Sequence, residues 1–250
     1  METTETTFKS MPLMDHIHEI RRRLMWSAAA VLVFTIFAFF FANQLFDIMI
    51  YPAHNVSLVY LEVTAMLSIY MKVCLTAGII AAMPVLIYHF IMFVAPGLTP
   101  KEKKCVLIVV PWIFAMFLAG AAFGYFLFLP KAITFLTTFA NDIAAPMIRI
   151  DSYIDFLTRM LLALGLIFEM PVIMTFLGRL GIVSPKWLVN KWKIAIILAF
   201  VVAAIVTPTT DPLNMMIFAT PIIILYGMSI WLVWLVQKKK PETTALTDNQ

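Results

Sequence analysis

Residues 156–178 read FLTRMLLALGLIFEMPVIMTFLG, a stretch of 23 residues in which one acid, Glu169, stands near the middle of an apolar run. A helix of about 20 apolar residues, rising about 1.5 Å per residue, crosses a hydrocarbon layer of roughly 30 Å. This stretch is therefore long and apolar enough to span a membrane. An acid at the centre of a bilayer costs at least about 2.5–3.5 kcal/mol, so Glu169 is expected to face a cavity, a partner or a proton path.

The whole chain has the composition of a membrane protein. Of its 250 residues, 62% are hydrophobic and only 13% are charged, with a mean hydropathy of +0.95. A single soluble core of this size could not hide so much apolar surface from water. The composition excludes a soluble globular enzyme, a disulfide-rich secreted module and a disordered chain. The two cysteines, Cys74 and Cys105, are too few for a disulfide framework.

Six stretches of this kind predict an all-α integral membrane protein with six transmembrane helices. The predicted spans are 24–42, 67–95, 105–128, 156–178, 193–207 and 213–236. The fifth span is short, because only the 13 residues from Ile194 to Val206 are continuously apolar. The sixth contains Pro221, which can kink or shorten it.

Positive charge is distributed unevenly between the predicted loops. Most Lys and Arg residues lie in the N-terminal segment, the second and fourth loops and the tail: Lys9, Arg21, Arg22, Arg23, Lys101, Lys103, Lys104, Arg179, Lys186, Lys191, Lys193, Lys238, Lys239 and Lys240. Because cytoplasmic loops carry the excess of Lys and Arg, both termini are expected in the cytoplasm. We therefore expect a cytoplasmic segment at 1–23, a membrane domain at 24–236 and a polar cytoplasmic tail at 237–250. The outer loops, 43–66 and 129–155, are expected to be ordered as a cap.

Glu169 and Pro171 are the main candidates for a site within the membrane. Pro171 has no amide hydrogen, so the carbonyl of Ile167 loses its helical partner, which predicts a kink beside the acid. A kink next to a polar group suggests a groove or a water-filled concavity. The alternative is a structural acid, protonated and hydrogen-bonded to a neighbouring helix.

Three other features have a structural interpretation, which for Glu102 stands beside a functional one. Residues 99–102 fit a capping box that starts the third span, whereas Glu102, an isolated acid among lysines, could also recognise an arginine ligand. Asp211, in the outer turn, fits a cap for the sixth span. Gly120 and Gly124 form a GxxxG pattern, which is typical of close helix packing.

Residues 15–24 form a short amphipathic segment with three successive arginines, which could be an interfacial helix bound to the lipid bilayer. His16 and His18 are two residues apart and do not share a helix face, so no metal site is expected. The chain contains none of the common hydrolase, zinc or phosphate-binding patterns. We therefore expect neither catalysis nor a cofactor. The basic residues are not gathered on one domain, so no nucleic-acid partner is expected either.

Four motifs, in order along the chain, resemble those of the TatC family, the multispanning core of the twin-arginine protein translocase. They are His16-x-x-Glu19-x-Arg21-x-Arg23-Leu24, Phe93-x-Ala95-Pro96-Gly97-Leu98 leading to Glu102, Phe168-Glu169-x-Pro171, and Thr207-Pro208 followed by Asp211 and Pro221. The resemblance covers about residues 12–236. Each motif alone is weak, but their joint occurrence in this order is specific.

This resemblance implies a receptor and scaffold rather than an enzyme. Proteins of the family bind the twin-arginine signal peptides of folded precursors at the cytoplasmic face of the bacterial inner membrane. They recruit TatA- and TatB-type single-span proteins, assemble with further copies of themselves, and use the proton-motive force. The family fold is a concave, glove-like bundle with short fifth and sixth spans. The signal-binding positions carried over are Glu19, Arg21, Phe93 and Glu102, and Glu169 corresponds to the acid in the concave groove.

Two functions of other classes fit parts of the sequence. A proton-coupled transporter of small solutes would also use Glu169 with Pro84 and Pro171, although six spans are few for a transporter. Direct uptake of a solute into liposomes would favour it. An intramembrane enzyme would need a nucleophile and a base within the bilayer, and the sequence offers no such pair.

Overall fold

The computed structural model describes residues 13–53, 58–62, 64–94, 100–138, 147–179, 181–207 and 212–238. The helices there are α1 (Leu13–Phe39), α2 (Ala42–Ile50), α3 (Ala65–Val94), α4 (Pro100–Phe123), α5 (Leu129–Thr138), α6 (Ile150–Phe168), α7 (Met170–Arg179), α8 (Pro185–Asn190), α9 (Trp192–Val206) and α10 (Pro212–Lys238). A 3-10 turn, Tyr51–Ala53, follows α2, and a π-helical turn, Gly124–Phe128, joins α4 to α5. Two short strands, β1 (Leu58–Val59) and β2 (Ile148–Arg149), complete the described elements.

Over these residues, five helical stretches are long and apolar enough to cross a membrane: Ile17–Phe39, Ala65–Phe93, Val110–Phe135, Ile150–Arg179 and Met215–Gln237. A sixth apolar helix, α9, is shorter, with 15 residues. The predicted all-α membrane fold and its short fifth helix are confirmed. The expectation of a short sixth helix is wrong, since α10 has 27 residues and continues through Pro221. Spanning helices tolerate such a proline when nearby groups satisfy the freed backbone.

The broken helix formed by α6 and α7 connects two groups of helices. α6 packs against α3 and α4, whereas α7 packs against α10, which also contacts α9. α1 lies at the edge of the first group and packs along α3. The junction of α6 and α7 therefore lies where the two groups meet.

A cap covers the end of the first group that includes the start of α6. β1 and β2 pair in parallel, with Leu58 opposite Ile148 and Val59 opposite Arg149. Tyr153 of α6 donates a hydrogen bond to the carbonyl of Met49 at 2.8 Å, which fixes α2 to the helices beneath it. The cap rests on a buried apolar cluster that includes Met49, Ile69, Val73, Leu129, Ile154 and Leu157. The described parts of the predicted outer loops, 43–66 and 129–155, form this cap.

Glycines allow the closest contact between α4 and α6. A methyl group added at Gly120 would lie 2.5 Å from the carbonyl oxygen of Leu164, and one at Gly165 would lie 2.5 Å from a ring carbon of Phe117. A real Cβ atom does not approach other atoms so closely, so both positions require glycine. The predicted packing role of Gly120 is confirmed.

Replacing Gly120 by alanine is expected to lower the free energy of unfolding by about 1–3 kcal/mol, because the backbone of α6 has to move away. The measurement is the thermal unfolding midpoint of the purified protein in detergent. Gly227→Ala is the matched control, since Gly227 also lies within a helix but has nothing within 4 Å of an added methyl group. Equal stability of the two variants would contradict the packing role of Gly120.

Candidate functional site

Glu169 occupies the turn between α6 and α7 and is buried, with only 6% of the residue exposed. Neither oxygen of its carboxyl group has a hydrogen-bond partner among the described residues. A buried polar group without a partner costs about 1–3 kcal/mol. The structural alternative, an acid hydrogen-bonded to a neighbouring helix, therefore finds no support in the part of the chain that the structure describes.

The helix is interrupted at Glu169, as the proline two residues later predicts. α6 ends at Phe168 and α7 begins at Met170. The amide of Glu169 donates to the carbonyl of Leu166 at 3.1 Å, a three-residue step that tightens the chain here. Pro171, which is buried, has no amide hydrogen to offer the carbonyl of Ile167. The predicted break beside the acid is confirmed.

The residues on either side of Glu169 are apolar and pack against apolar side chains of neighbouring helices. The ring of Phe168 lies 5.4 Å from the ring of Phe123, at the end of α4. Ile167 and Met170 pack against a cluster that α9 and α10 supply in part: Ala199, Ala203, Phe218, Ala219 and Ile222. The acid thus lies at the meeting point of the two helix groups, in apolar surroundings.

A second candidate group lies near the start of α1. Glu19 accepts two hydrogen bonds from Arg23, one from Nη2 at 2.5 Å and one from Nε at 3.0 Å, and both go to its oxygen Oε1. The side chains are only 22% and 21% exposed, respectively. Among the residues of α1 whose side chains are described, the less exposed ones follow helical spacing along one face: Glu19, Arg23, Ser27, Ala30, Val31, Phe34, Thr35 and Ala38. Glu19 and Arg23 therefore belong to the face that α1 turns toward α3.

α1 and α3 run antiparallel, and their register places the end of α3 beside this ion pair. Tyr70, near the start of α3, donates a hydrogen bond to Asn43, just after α1, and Thr35 of α1 lies against Gly78 of α3. Continued along both helices, this register places Glu19 of α1 opposite the end of α3, where Phe93 lies. The register therefore brings Glu19 and Phe93 to the same end of the helix pair, as a common binding site requires.

Arg21 lies on another side of α1. It is exposed and follows Glu19 by two residues, which turns its side chain by about 200° around the helix. The structure therefore does not bring Arg21 onto the face that Glu19 shares with α3. The backbone of Glu102 lies in the first turn of α4, but its side chain is outside what the structure describes, and Asp211 lies outside the described residues altogether.

An ion pair that the sequence does not predict joins α3 to α6. Nζ of Lys72 lies 2.5 Å from Oδ1 of Asp155, and the side chains are 44% and 37% exposed. The two residues are 83 positions apart, so no local spacing could have paired them. The sequence showed only that one charged residue, Lys72 or Asp155, lies near an end of each of the two predicted spans. Within the described ranges, no three His, Cys, Asp or Glu residues are grouped as metal ligands.

Comparison with known proteins gives matches over nearly the whole chain. A family model described as Sec-independent protein translocase protein (TatC) matches residues 15–221. The TatC protein of Koribacter versatilis is 36% identical over 247 residues, covering 94% of this chain and 90% of that protein. The TatC protein of Aquifex aeolicus is 36% identical over 238 residues, covering 93% and 98%.

The fold is also similar to a solved structure. A crystal structure of the twin arginine translocase receptor TatC superposes with a TM-score of 0.79 at 35% sequence identity. The match covers 89% of this chain and 99% of that chain.

Replacing Glu169 by leucine is expected to raise the free energy of unfolding by about 1–3 kcal/mol, because the apolar side chain needs no hydrogen-bond partner. Glu169→Gln keeps an unpartnered polar group and is expected to remain near the parent protein. Thermal unfolding of both variants in detergent gives the comparison. A leucine variant less stable than the glutamine variant would show that the carboxyl group has a structural partner.

Proposed function

The chain belongs to the TatC family of Sec-independent protein translocase proteins, and from this membership we propose that it is the signal-peptide receptor and scaffold of the translocase. As a member of that family it is a subunit of a protein translocase and not an enzyme. It binds the twin-arginine signal peptides of folded precursors at the cytoplasmic face of the bacterial inner membrane. It recruits TatA- and TatB-type single-span proteins, assembles with further copies of itself, and the proton-motive force drives export.

The observation that carries this proposal is the position of Glu19 beside the end of α3. The carboxylate binds the guanidinium of Arg23, and both hydrogen bonds use one oxygen, Oε1. A guanidinium presents a planar fork that matches a carboxylate, so an arginine of a signal peptide competes with Arg23 or bonds the second oxygen. Phe93 lies at the same end of the helix pair and offers apolar surface to the hydrophobic part of the signal.

Glu102 supplies the second acid of the proposed receptor. It lies in the first turn of α4, nine positions after Phe93, and α4 packs against α3. Arg21, which is exposed on α1, adds a contact outside the face shared with α3. Two acids near one helix end suit a peptide that carries two adjacent arginines.

Glu169 and Pro171 form the proposed contact site within the membrane. The helix break at Glu169 lies between the two helix groups, and the carboxyl group is buried without a partner among the described residues. A polar group from an inserted signal peptide or from a partner helix would satisfy that carboxyl group. Asp211, which directly precedes α10 in the sequence, is proposed to act at the opposite face.

The proposed orientation, with both termini in the cytoplasm, can be tested by labelling. Single cysteines are placed in a variant that lacks Cys74 and Cys105. Cysteines in 43–66 or 129–155 are expected to react with an impermeant thiol reagent added outside the cell, and those in 99–104 or 184–190 are not. The reversed pattern would overturn both the orientation and the cytoplasmic receptor site.

Glu19→Gln and Glu102→Gln are each expected to weaken the binding of a twin-arginine peptide about tenfold or more, since a hydrogen bond to a charged group contributes about 1.5–3 kcal/mol. Affinity is measured with the purified protein and a labelled signal peptide. Glu62→Gln, which removes an exposed acid beside the cap, is the matched control and is expected to change nothing.

Two further comparisons separate recognition from helix capping. A peptide with two lysines in place of the arginines is expected to bind weakly to the parent protein, because an ammonium group lacks the planar fork. Glutamine at position 102 preserves a helix cap, so capping alone predicts unchanged affinity. Affinity that is unaffected by both Glu19→Gln and Glu102→Gln would reduce these acids to caps and charge balance.

A further inference from the structure

A groove between α8 and α10 takes no part in the proposed function. It has a volume of about 560 Å³, within the range typical of small-molecule sites. Its walls include Lys186, Val189 and Asn190 from α8, and Gly227, Trp231 and Trp234 from α10. Gly227 contributes no side chain to the groove, and a Cβ at this position would face open space, with no atom within 4 Å.

The two walls of the groove are held together by hydrogen bonds. The hydroxyl of Tyr226 donates to the carbonyl of Leu188 at 2.7 Å, which joins α10 to α8. The side-chain amide of Gln237 donates to the carbonyls of Gly178 and Val183 at 3.0 and 2.8 Å. The bond of Tyr226 fixes α10 directly to α8, and those of Gln237 fix it to α7 and to the segment before α8.

The groove is apolar along one side and basic at its edge. Trp231 and Trp234 are 59% and 47% exposed, and tryptophan is characteristic of the boundary between lipid and water. Lys186 is exposed at the groove, and Lys191 and Lys193 follow nearby in the chain. Residues 181–207 and 212–238, which include both walls, contain no Asp or Glu. The charged residues in these two ranges are therefore all basic.

We propose that this groove binds one molecule of an anionic phospholipid. The headgroup lies at Lys186 and Asn190, and an acyl chain follows Gly227 and Trp231. A lysine beside an apolar groove with no acid matches a ligand that is anionic at one end and apolar at the other. An apolar helix of a partner protein would match the tryptophan wall but leave the lysine without a counterpart.

Bromine-labelled lipids provide the test, because bromine on an acyl chain quenches nearby tryptophan fluorescence. The purified, delipidated protein in detergent is titrated with dibrominated phosphatidylglycerol and, separately, with dibrominated phosphatidylcholine. We expect phosphatidylglycerol to bind about fivefold more tightly, the effect of one lysine at an anionic lipid surface. Lipid around the rest of the protein contributes to quenching in both titrations. The difference in affinity between the two lipids therefore reports binding in the groove.

Three variants test whether the preference for phosphatidylglycerol arises in the groove. Lys186→Gln is expected to abolish it, whereas the matched control Lys193→Gln, outside the groove lining, is expected to retain it. Gly227→Leu fills the groove without meeting other atoms at Cβ and is expected to remove the preference and reduce quenching. Lys186→Gln is expected to leave the affinity for a twin-arginine peptide unchanged, which separates this site from the proposed receptor site.

Two results would overturn the proposal. The first is equal binding of the two lipids, or a preference that survives Lys186→Gln. The second is quenching that ignores the headgroup but is relieved by an added apolar single-span peptide, which would assign the groove to a partner helix.

Discussion

In hydrocarbon, each backbone amide and carbonyl has to find its partner within the protein, and the architecture follows from that requirement. It explains why the described chain is almost entirely helical and why the break between α6 and α7 lies in a protected place. The interruption at Glu169 and Pro171 lies between two groups of helices rather than against lipid. Burial of the carboxyl group there also costs free energy, which contact with another molecule would offset.

The ends of the helices differ in chemistry, and this difference organises the proposed sites. At the capped end, tyrosine hydroxyls hold α2 by its carbonyls, and the ion pair of Lys72 with Asp155 joins α3 to α6. The other end carries Glu19 on α1 beside the end of α3. The antiparallel register of α1 and α3 brings Glu19 and Phe93 to the same end of the helix pair, although 74 positions separate them in the chain.

The groove between α8 and α10 shows how interfacial residues can also form a site. Scattered tryptophans and lysines at a membrane boundary are ordinary anchors. Here Lys186 and Trp231 line the same cavity, and Gly227 lies in its wall without a side chain. One lysine at the end of an apolar groove turns a general affinity for lipid into a preference for a headgroup.

The sequence by itself determined the features that depend on neighbouring residues. These are the apolar spans, the short α9, the break two residues before Pro171 and the burial of an acid at Glu169, because hydropathy and proline act locally. Only the tertiary structure decided which distant residues meet. It paired Lys72 with Asp155, turned Arg21 away from the face that Glu19 shares with α3, and continued α10 through Pro221. Each of these outcomes depends on helix packing, which joins positions that no spacing in the chain relates.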